Sequence, residues 1–527
     1  MTISSTVSSK DKDYLFILIK SLSQAEKRSF KLFVKRFEAN ENAKFIKLFD
    51  ILDKMEVYDE PMILKKAPVT KKQLSNMKAH LYKQILVGLR LIYADQNVEL
   101  QLNEQIDFAR ILYNKGLYQQ SLKLLGKAKS IAERYFLDTI VLRIVELEKV
   151  IESQHITRSM RDRAEILAGE AGQLTKNVSL KNALSNLSLQ LYGLYLKVGY
   201  VRDENDIVMV ENFYHNNLPV MEQENLTFYE KLYLYQAQVW FYHILQDFPH
   251  CYRSAQKWVN LFTDFPHMRK VATGNYLKAY HYLLDTLFYM GQFERFSQVF
   301  VEFRESLEAD DFKMDENCRV LSFLYYYSNS INFHFLTGDF TQGVNTVVPA
   351  LLKEMKILKN KLDVHHVMVL HYKVACLYFG SGDNSNAIVH LNQVINHTGD
   401  GLREDLQSFA HILKLIASYE EGLDDNLEQQ IRTVYKFLIK MNDLHMVQKE
   451  MMQFIRNLNR IYDYQLKSAF IELRERLTPY EDHPYEKRAF LYLDIISWLE
   501  SKIEGRPVQQ IIQEKFNRRN VNVYGSE

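Results

Sequence analysis

Lys115-Gly116-Leu117-Tyr118, Gln246-Asp247-Phe248, Gly291-Gln292-Phe293 and Gly338-Asp339-Phe340 are variants of one short pattern. A fifth stretch, Gly382-Asp383-Asn384, keeps the glycine and aspartate but not the ring. Each follows an apolar run at helical spacing and precedes another, which predicts tight turns between antiparallel helices. The ring is expected to plug between the two helices of its own pair. A chain built this way is a stack of helical hairpins, and such stacks bind other molecules.

Composition agrees with an all-α chain. At 527 residues the protein exceeds what one hydrophobic core usually holds, so several domains or a repeat array are expected. An apolar fraction of 47% with 13% aromatics is far from disorder. No proline lies between Pro68 and Pro219, and long proline-free runs favour helix because an internal proline removes a hydrogen bond and clashes. Strand signals are nearly absent, and Asp400-Gly401 sits between helical patterns. Tyr14 to Ile19 gives six apolar residues before Lys20, too few for a signal-peptide core or a membrane span. Cys251, Cys318 and Cys376 lie at least 58 positions apart in apolar helical patterns. They read as buried hydrophobes in a reducing compartment, and the expected location is cytoplasmic.

From the first turn, Gly116-x-Tyr118-x-x-Ser121-x-x-x-Leu125-x-x-Ala128 sets out a longer pattern. It returns from Phe248 as Cys251, Ala255 and Trp258, from Phe340 as Gly343, Val347 and Ala350, and from Asn384 as Ala387, Leu391 and Val394. Small residues three past the ring let the second helix cross closely over the first. Phe296 takes that place after Phe293. This pattern resembles the tetratricopeptide repeat (TPR) family, whose turn and second helix carry a comparable spacing. The resemblance implies a right-handed α-α superhelix, a solenoid of helical hairpins. The spacing is longer than the family's: positions 246, 291, 338 and 382 are 45, 47 and 44 apart, each helix gaining a turn or more. Weaker turns near Gly199 and Gly422, and another near Arg158 to Asp162, bring the expectation to about seven hairpins over 95–441. The remainder, 442–527, reads as a helical cap: one or two long helices to Leu477, a helix opened by Pro484 that holds Phe490, Leu493 and Trp498, and a last one from Pro507. Asn517 to Glu527 reads as a loose tail.

Residues 1–94 differ in kind, with 18 Lys and Arg against 10 Asp and Glu, a net of +8 where the whole chain carries +1. Ser23-x-x-Glu26 and Thr70-x-x-Gln73 are capping boxes, and Asp59-Glu60-Pro61 opens a short helix. Phe30, Phe33, Val34 and Phe37 share one face of the first, and Leu74, Met77, Leu81 and Ile85 the inner face of the helix after Thr70. The stretch Ile63 to Leu74 resembles a helix-turn-helix core, in which Lys71, Lys72, Gln73, Asn76 and Lys78 would face DNA. Pro68 stands where such turns usually carry glycine. The other reading is a helical cap with a solvated basic face, its inner face covered by the first hairpin.

A search for chemistry finds no phosphate loop, no nucleophile elbow, no helical pair of metal-ligating histidines and no calcium loop, so neither catalysis nor a cofactor is expected. His365, His366 and His371 do not share a face, and read as structural. What remains is a surface. In TPR-like stacks the first helix of each hairpin lines the concave side, which selects Tyr233, Gln236, Trp240 and His243. The next hairpins add Lys278, His281, Asp285 and Phe288, then Tyr325, Ser328, Asn332 and Phe335, then Tyr372. Rings mixed with amide and charged tips suit a peptide groove, although many such rings serve interhelical packing alone. The expectation is a non-catalytic scaffold for a protein or peptide, without membrane insertion. The alternative is a regulator that binds DNA through residues 1–94 and senses a peptide through its repeats, an architecture found among TPR-like bacterial quorum-sensing regulators.

Overall fold

The computed structural model describes residues 13–35, 40–67, 70–154, 162–309, 315–396, 404–422, 427–440, 446–458, 461–483, 485–487, 489–490 and 494–524. Among these residues the chain is all-helical, with no strand. Phe37, Pro68, Asp400-Gly401, Pro484 and Leu493 lie outside them, as do 158–161 of the turn expected near Asp162. The chain forms two compact units, Met1–Thr175 and Lys176–Glu527.

The first unit begins with α1 (Tyr14–Ser21), α2 (Gln24–Lys35), α3 (Asn40–Lys54), α4 (Glu60–Lys66) and α5 (Lys71–Tyr93). Capping fixes where several of them start. The Ser23 amide donates to Glu26 Oε2 at 2.6 Å while the Glu26 amide donates to Ser23 Oγ at 3.2 Å. Asp59 Oδ1 accepts from the Met62 amide, and the Thr70 amide donates to Gln73 Oε1. The inner face of α5 was expected to need the first hairpin as its partner. Instead Leu74, Leu81 and Ile85 are buried, with Met77 beside them, against Leu15, Ile19, Phe30, Leu48 and Phe49 of α1–α3. These five helices therefore make a core of their own. Then follow α6 (Val98–Asn114), α7 (Tyr118–Arg134) and α8 (Asp138–Gln154). Gly116 turns α6 into α7 at φ +74°, and the Ser121 hydroxyl donates to the Ala109 carbonyl at 2.8 Å across the crossing. Helix α9 (Arg163–Val198) is a single run of 36 residues, and the division between the units falls within it.

In the second unit, α10 (Glu204–Asn217) precedes α11 (Phe228–Ile244) and α12 (Phe248–Asp264). The single-turn α13 (Met268–Val271) leads to α14 (Thr273–Tyr289), α15 (Phe293–Glu308), α16 (Glu316–Thr337), α17 (Phe340–Ile357), α18 (Val364–Ser381) and α19 (Asn384–Ile395). Within each of the pairs α11/α12, α14/α15, α16/α17 and α18/α19, the two helices pack on each other. The connecting residues Gln246, Gly291, Gly338 and Gly382 all take positive φ, from +59° to +88°, so the quoted stretches share one backbone geometry. The rings after these turns do more than plug their own pair. Phe248 stacks on Tyr289 of α14 at 4.9 Å, and Phe340 lies against Gly380 of α18, so each ring joins its pair to the next.

The C-terminal quarter departs further from expectation. After α20 (Glu404–Glu420) and α21 (Leu427–Lys440) come α22 (Met446–Leu458), α23 (Asp463–Leu477), α24 (Ile495–Glu504) and α25 (Val508–Tyr524). Trp498 belongs to α24, which starts at Ile495 under an Asp494 cap, so Phe490 is not on its helix. The segment from Asn517 that read as a loose tail continues α25 as helix to Tyr524. Nor does α25 stay at the end of the array. Gln509 Oε1 accepts from the Thr341 amide at 2.9 Å, Gln513 Nε2 donates to Asp339 Oδ1 at 2.8 Å, and Phe516 meets Phe293 edge-on at 4.6 Å. The last helix thus lies across the turns of α14/α15 and α16/α17.

Candidate functional site

A cavity of about 350 Å³ opens within the second unit, between the first helices of successive pairs and the returning C-terminal segment. Ten of the residues selected from the sequence line it, among them Trp240 and His243 from α11, His281 and Asp285 from α14, Tyr325 and Asn332 from α16, and Tyr372 from α18. Phe288, Ser328 and Phe335, the other three, line it as well. Tyr233, Gln236 and Lys278 do not. Gln236 is buried away from it, and Tyr233 packs beside Leu184, Leu226 and Leu234. Lys278 is partly buried, which lowers its pKa.

The aromatic wall is continuous. Trp240 lies 4.8 Å from Tyr192, 5.3 Å from Tyr195 and 4.8 Å from Tyr282, ring centre to ring centre. His281 stacks on Tyr325 at 4.3 Å with the planes 10° apart. Burial, with the Lys373 charge next, pushes His281 well below the ordinary imidazole value, so it faces the cavity neutral. Burial likewise raises the Tyr282 and Tyr325 phenols, and none of these groups titrates near neutral pH.

The sequence named Asp285, Ser328 and Asn332 of the polar centre but missed its cation, Lys373. Lys373 Nζ donates to Ser328 Oγ at 2.6 Å and to Asn332 Oδ1 at 2.8 Å. The same Asn332 turns its Nδ2 to Asp285 Oδ1 at 3.4 Å. One amide thereby links a lysine on α18 to a carboxylate on α14. Burial lowers the Lys373 pKa and the Asp285 charge raises it, with burial the larger effect. Lys373 adjoins Tyr372, and an apolar helix carrying one lysine was the available signal. Tyr192 and Tyr195, which precede the weaker turn near Gly199, were not selected from the sequence. One turn along α18, burial pushes the Cys376 thiol up to about 12, so it is not a thiolate nucleophile at neutral pH. His366 pairs with Asp363, which that contact holds at about 2 in spite of burial.

In the first unit, Lys71, Lys72, Gln73 and Asn76 are exposed along the start of α5. Lys78 is not among them. It is partly buried, pairs with Asp13 and donates to Tyr58 Oη at 2.8 Å, so its charge is used inside the unit. This corrects its expected place on a DNA-facing surface: four residues past Leu74 and three before Leu81, it flanks the buried stripe of α5 and is met by Asp13 and the loop before α4.

Among the described residues no group of three or more His, Cys, Asp or Glu is placed to hold a metal ion, and no helix is long and apolar enough to cross a membrane. No family model matches the chain, and neither curated proteins nor solved structures give a significant match.

Proposed function

We propose that the protein is a non-catalytic binding scaffold of the cytoplasm, a TPR-like right-handed solenoid that takes up a protein or peptide partner along its concave side. The observation that carries this reading is the convergence of four successive first helices, α11, α14, α16 and α18, on one cavity. They supply rings for contact area and amide, hydroxyl and charged tips for a bound backbone. The test is quantitative co-purification with the full-length tagged protein and with Asn332→Leu and Ser328→Ala, each checked for native circular dichroism. A partner enriched by the parent and lost from both variants supports the groove. An unchanged set of partners removes it.

A second reading is favoured by one observation, the exposed Lys71, Lys72, Gln73 and Asn76 at the capped start of α5 in the basic segment. Here residues 1–94 bind DNA phosphates and the protein is a transcriptional regulator. Affinity for a mixed-sequence duplex then falls steeply with salt, because phosphate contacts release counterions. Lys71→Ala with Lys72→Ala reduces both the affinity and that slope. Binding that is weak and indifferent to salt excludes it.

A further inference from the structure

We infer that the cavity of the second unit is a specific site for a small zwitterion, a free α-amino acid with a large aromatic or aliphatic side chain. This goes beyond the scaffold reading and does not depend on it. The inference rests on the charges that reach the cavity. Lys373 comes from α18 and Asp285 from α14, and Asn332 of α16 stands between them, accepting from one at 2.8 Å and donating toward the other at 3.4 Å. The other carboxylate on the lining, Asp494, is turned to cap α24, accepting from the Ser497 amide at 2.9 Å and the Ser497 hydroxyl at 2.6 Å. His281 is neutral, and His366 is paired with Asp363. The cavity lining therefore holds a lysine and a carboxylate joined through one amide, in a largely aromatic enclosure.

Charges withdrawn from water are costly, and here Lys373 is held by Ser328 and Asn332, with Asn332 passing on to Asp285, so the charges are kept in place at the wall of a ring-lined space. They are well suited to a ligand with the opposite pattern. A carboxylate meets Lys373 with Ser328 and Asn332 beside it. An ammonium one or two bonds away meets Asp285, where neighbouring ring faces add cation–π attraction. The side chain then lies against Trp240, Tyr282 and Tyr325. A volume of about 350 Å³ lies in the range of small-ligand sites and holds one such molecule. A purely anionic ligand would bring its charge beside Asp285, and a purely cationic one beside Lys373, so specificity comes from repulsion as well as attraction.

The experiment is calorimetric titration of the full-length protein at neutral pH with L-tryptophan, L-tyrosine, L-phenylalanine and L-leucine. Two one-headed analogues accompany them, indole-3-propionate, which lacks the ammonium, and tryptamine, which lacks the carboxylate. At least one amino acid binds, and if it is tryptophan it binds at least about tenfold tighter than either analogue. For another amino acid, its own deaminated and decarboxylated forms replace the indoles. Lys373→Met abolishes the advantage over the amine, and Asp285→Asn abolishes the advantage over the acid. An analogue that binds as tightly as its amino acid overturns the inference, and so does the absence of heat from all four amino acids at millimolar concentration. Both outcomes are read on the parent protein, so a variant that fails to fold leaves the test intact. A negative result leaves the co-purification test of the scaffold untouched.

Discussion

A Cβ placed on Gly338 would lie 2.9 Å from the backbone nitrogen of Gln513, so the turn between α16 and α17 touches the main chain of the last helix. Gly338 is thus constrained twice, by a φ of +74° and by this approach. Gly382 has the first constraint without the second, since nothing lies within 4 Å of its Cβ position at a φ of +88°. Gly382→Ala is expected to cost about 1 kcal/mol, the backbone share alone. Gly338→Ala costs about 1–3 kcal/mol more, by pushing α25 off its seat. Hydrogen exchange across 508–518 separates the two: only the Gly338 variant loses protection there. Equal melting shifts for both would mean that α25 is not docked on this turn.

Phe340 is 6% exposed, and a Cβ on Gly380 would sit 2.6 Å from its ring. Phe340→Ala is expected to cost about 3–5 kcal/mol, the range for a buried ring. Gly380→Ala overpacks the same contact and costs about 1–3 kcal/mol. The double variant is less destabilised than the sum, because removing the ring makes room for the methyl. Chemical denaturation of the four proteins measures the coupling, and strict additivity would show that the two residues do not touch.

Stability of the second unit falls with acid through the His371–His390 pair. The two Nδ1 atoms lie 2.9 Å apart, so one ring donates and the other accepts, and a second proton has no place. Burial first, and then His390, lowers His371 to about 4, and burial lowers His390 too. Unfolded imidazoles titrate near 6.5, so between that pH and about 4 the unfolded chain binds more protons. The stability conferred by the neutral pair is complete above the unfolded value and is lost as pH falls through this window, on the order of 2 kcal/mol from His371 after allowance for its residual exposure. His281 and His411 shift the same way and add to the slope. Denaturation midpoints of the parent and of His390→Phe, compared at neutral pH and near pH 5, show the variant losing less. Parallel losses would remove the pair as a cause.

In the first unit, Glu148 is 5% exposed and held by Lys129 at 3.2 Å and Arg163 at 3.3 Å, while Lys129 also reaches Glu170 at 2.6 Å. This network ties α7, α8 and α9. Lys129→Met leaves a buried carboxylate short of a partner and is expected to cost about 3 kcal/mol. Adding Glu148→Leu restores much of the loss, because the apolar pair needs no desolvation of charge. Thermal melting of the single and double variants checks it, and a double variant no better than the single would contradict this account.

How much of this was legible in the chain follows from the range of each interaction. The turns at Gly116, Gly291, Gly338 and Gly382 were readable because their causes are local, a left-handed backbone beside a helix start. The capping boxes at Ser23 and Thr70 were readable for the same reason, each closing over three residues. The inward offsets that the TPR resemblance implies, counted back from those turns, then selected one face of α11, α14, α16 and α18, and so named Trp240, Asp285 and Asn332 without Lys373. What tertiary structure decided was everything that depends on contacts far apart in sequence. Lys373 meets Asn332 across 41 positions, and Gln513 meets Asp339 across 174. No local pattern distinguishes a helix that ends an array from one that returns to its middle, since both need the same apolar face. Lys78 shows the same limit on a smaller scale. Its spacing put it with the exposed lysines of α5, and only the packing of Asp13 and Tyr58 against that helix turned its charge inward.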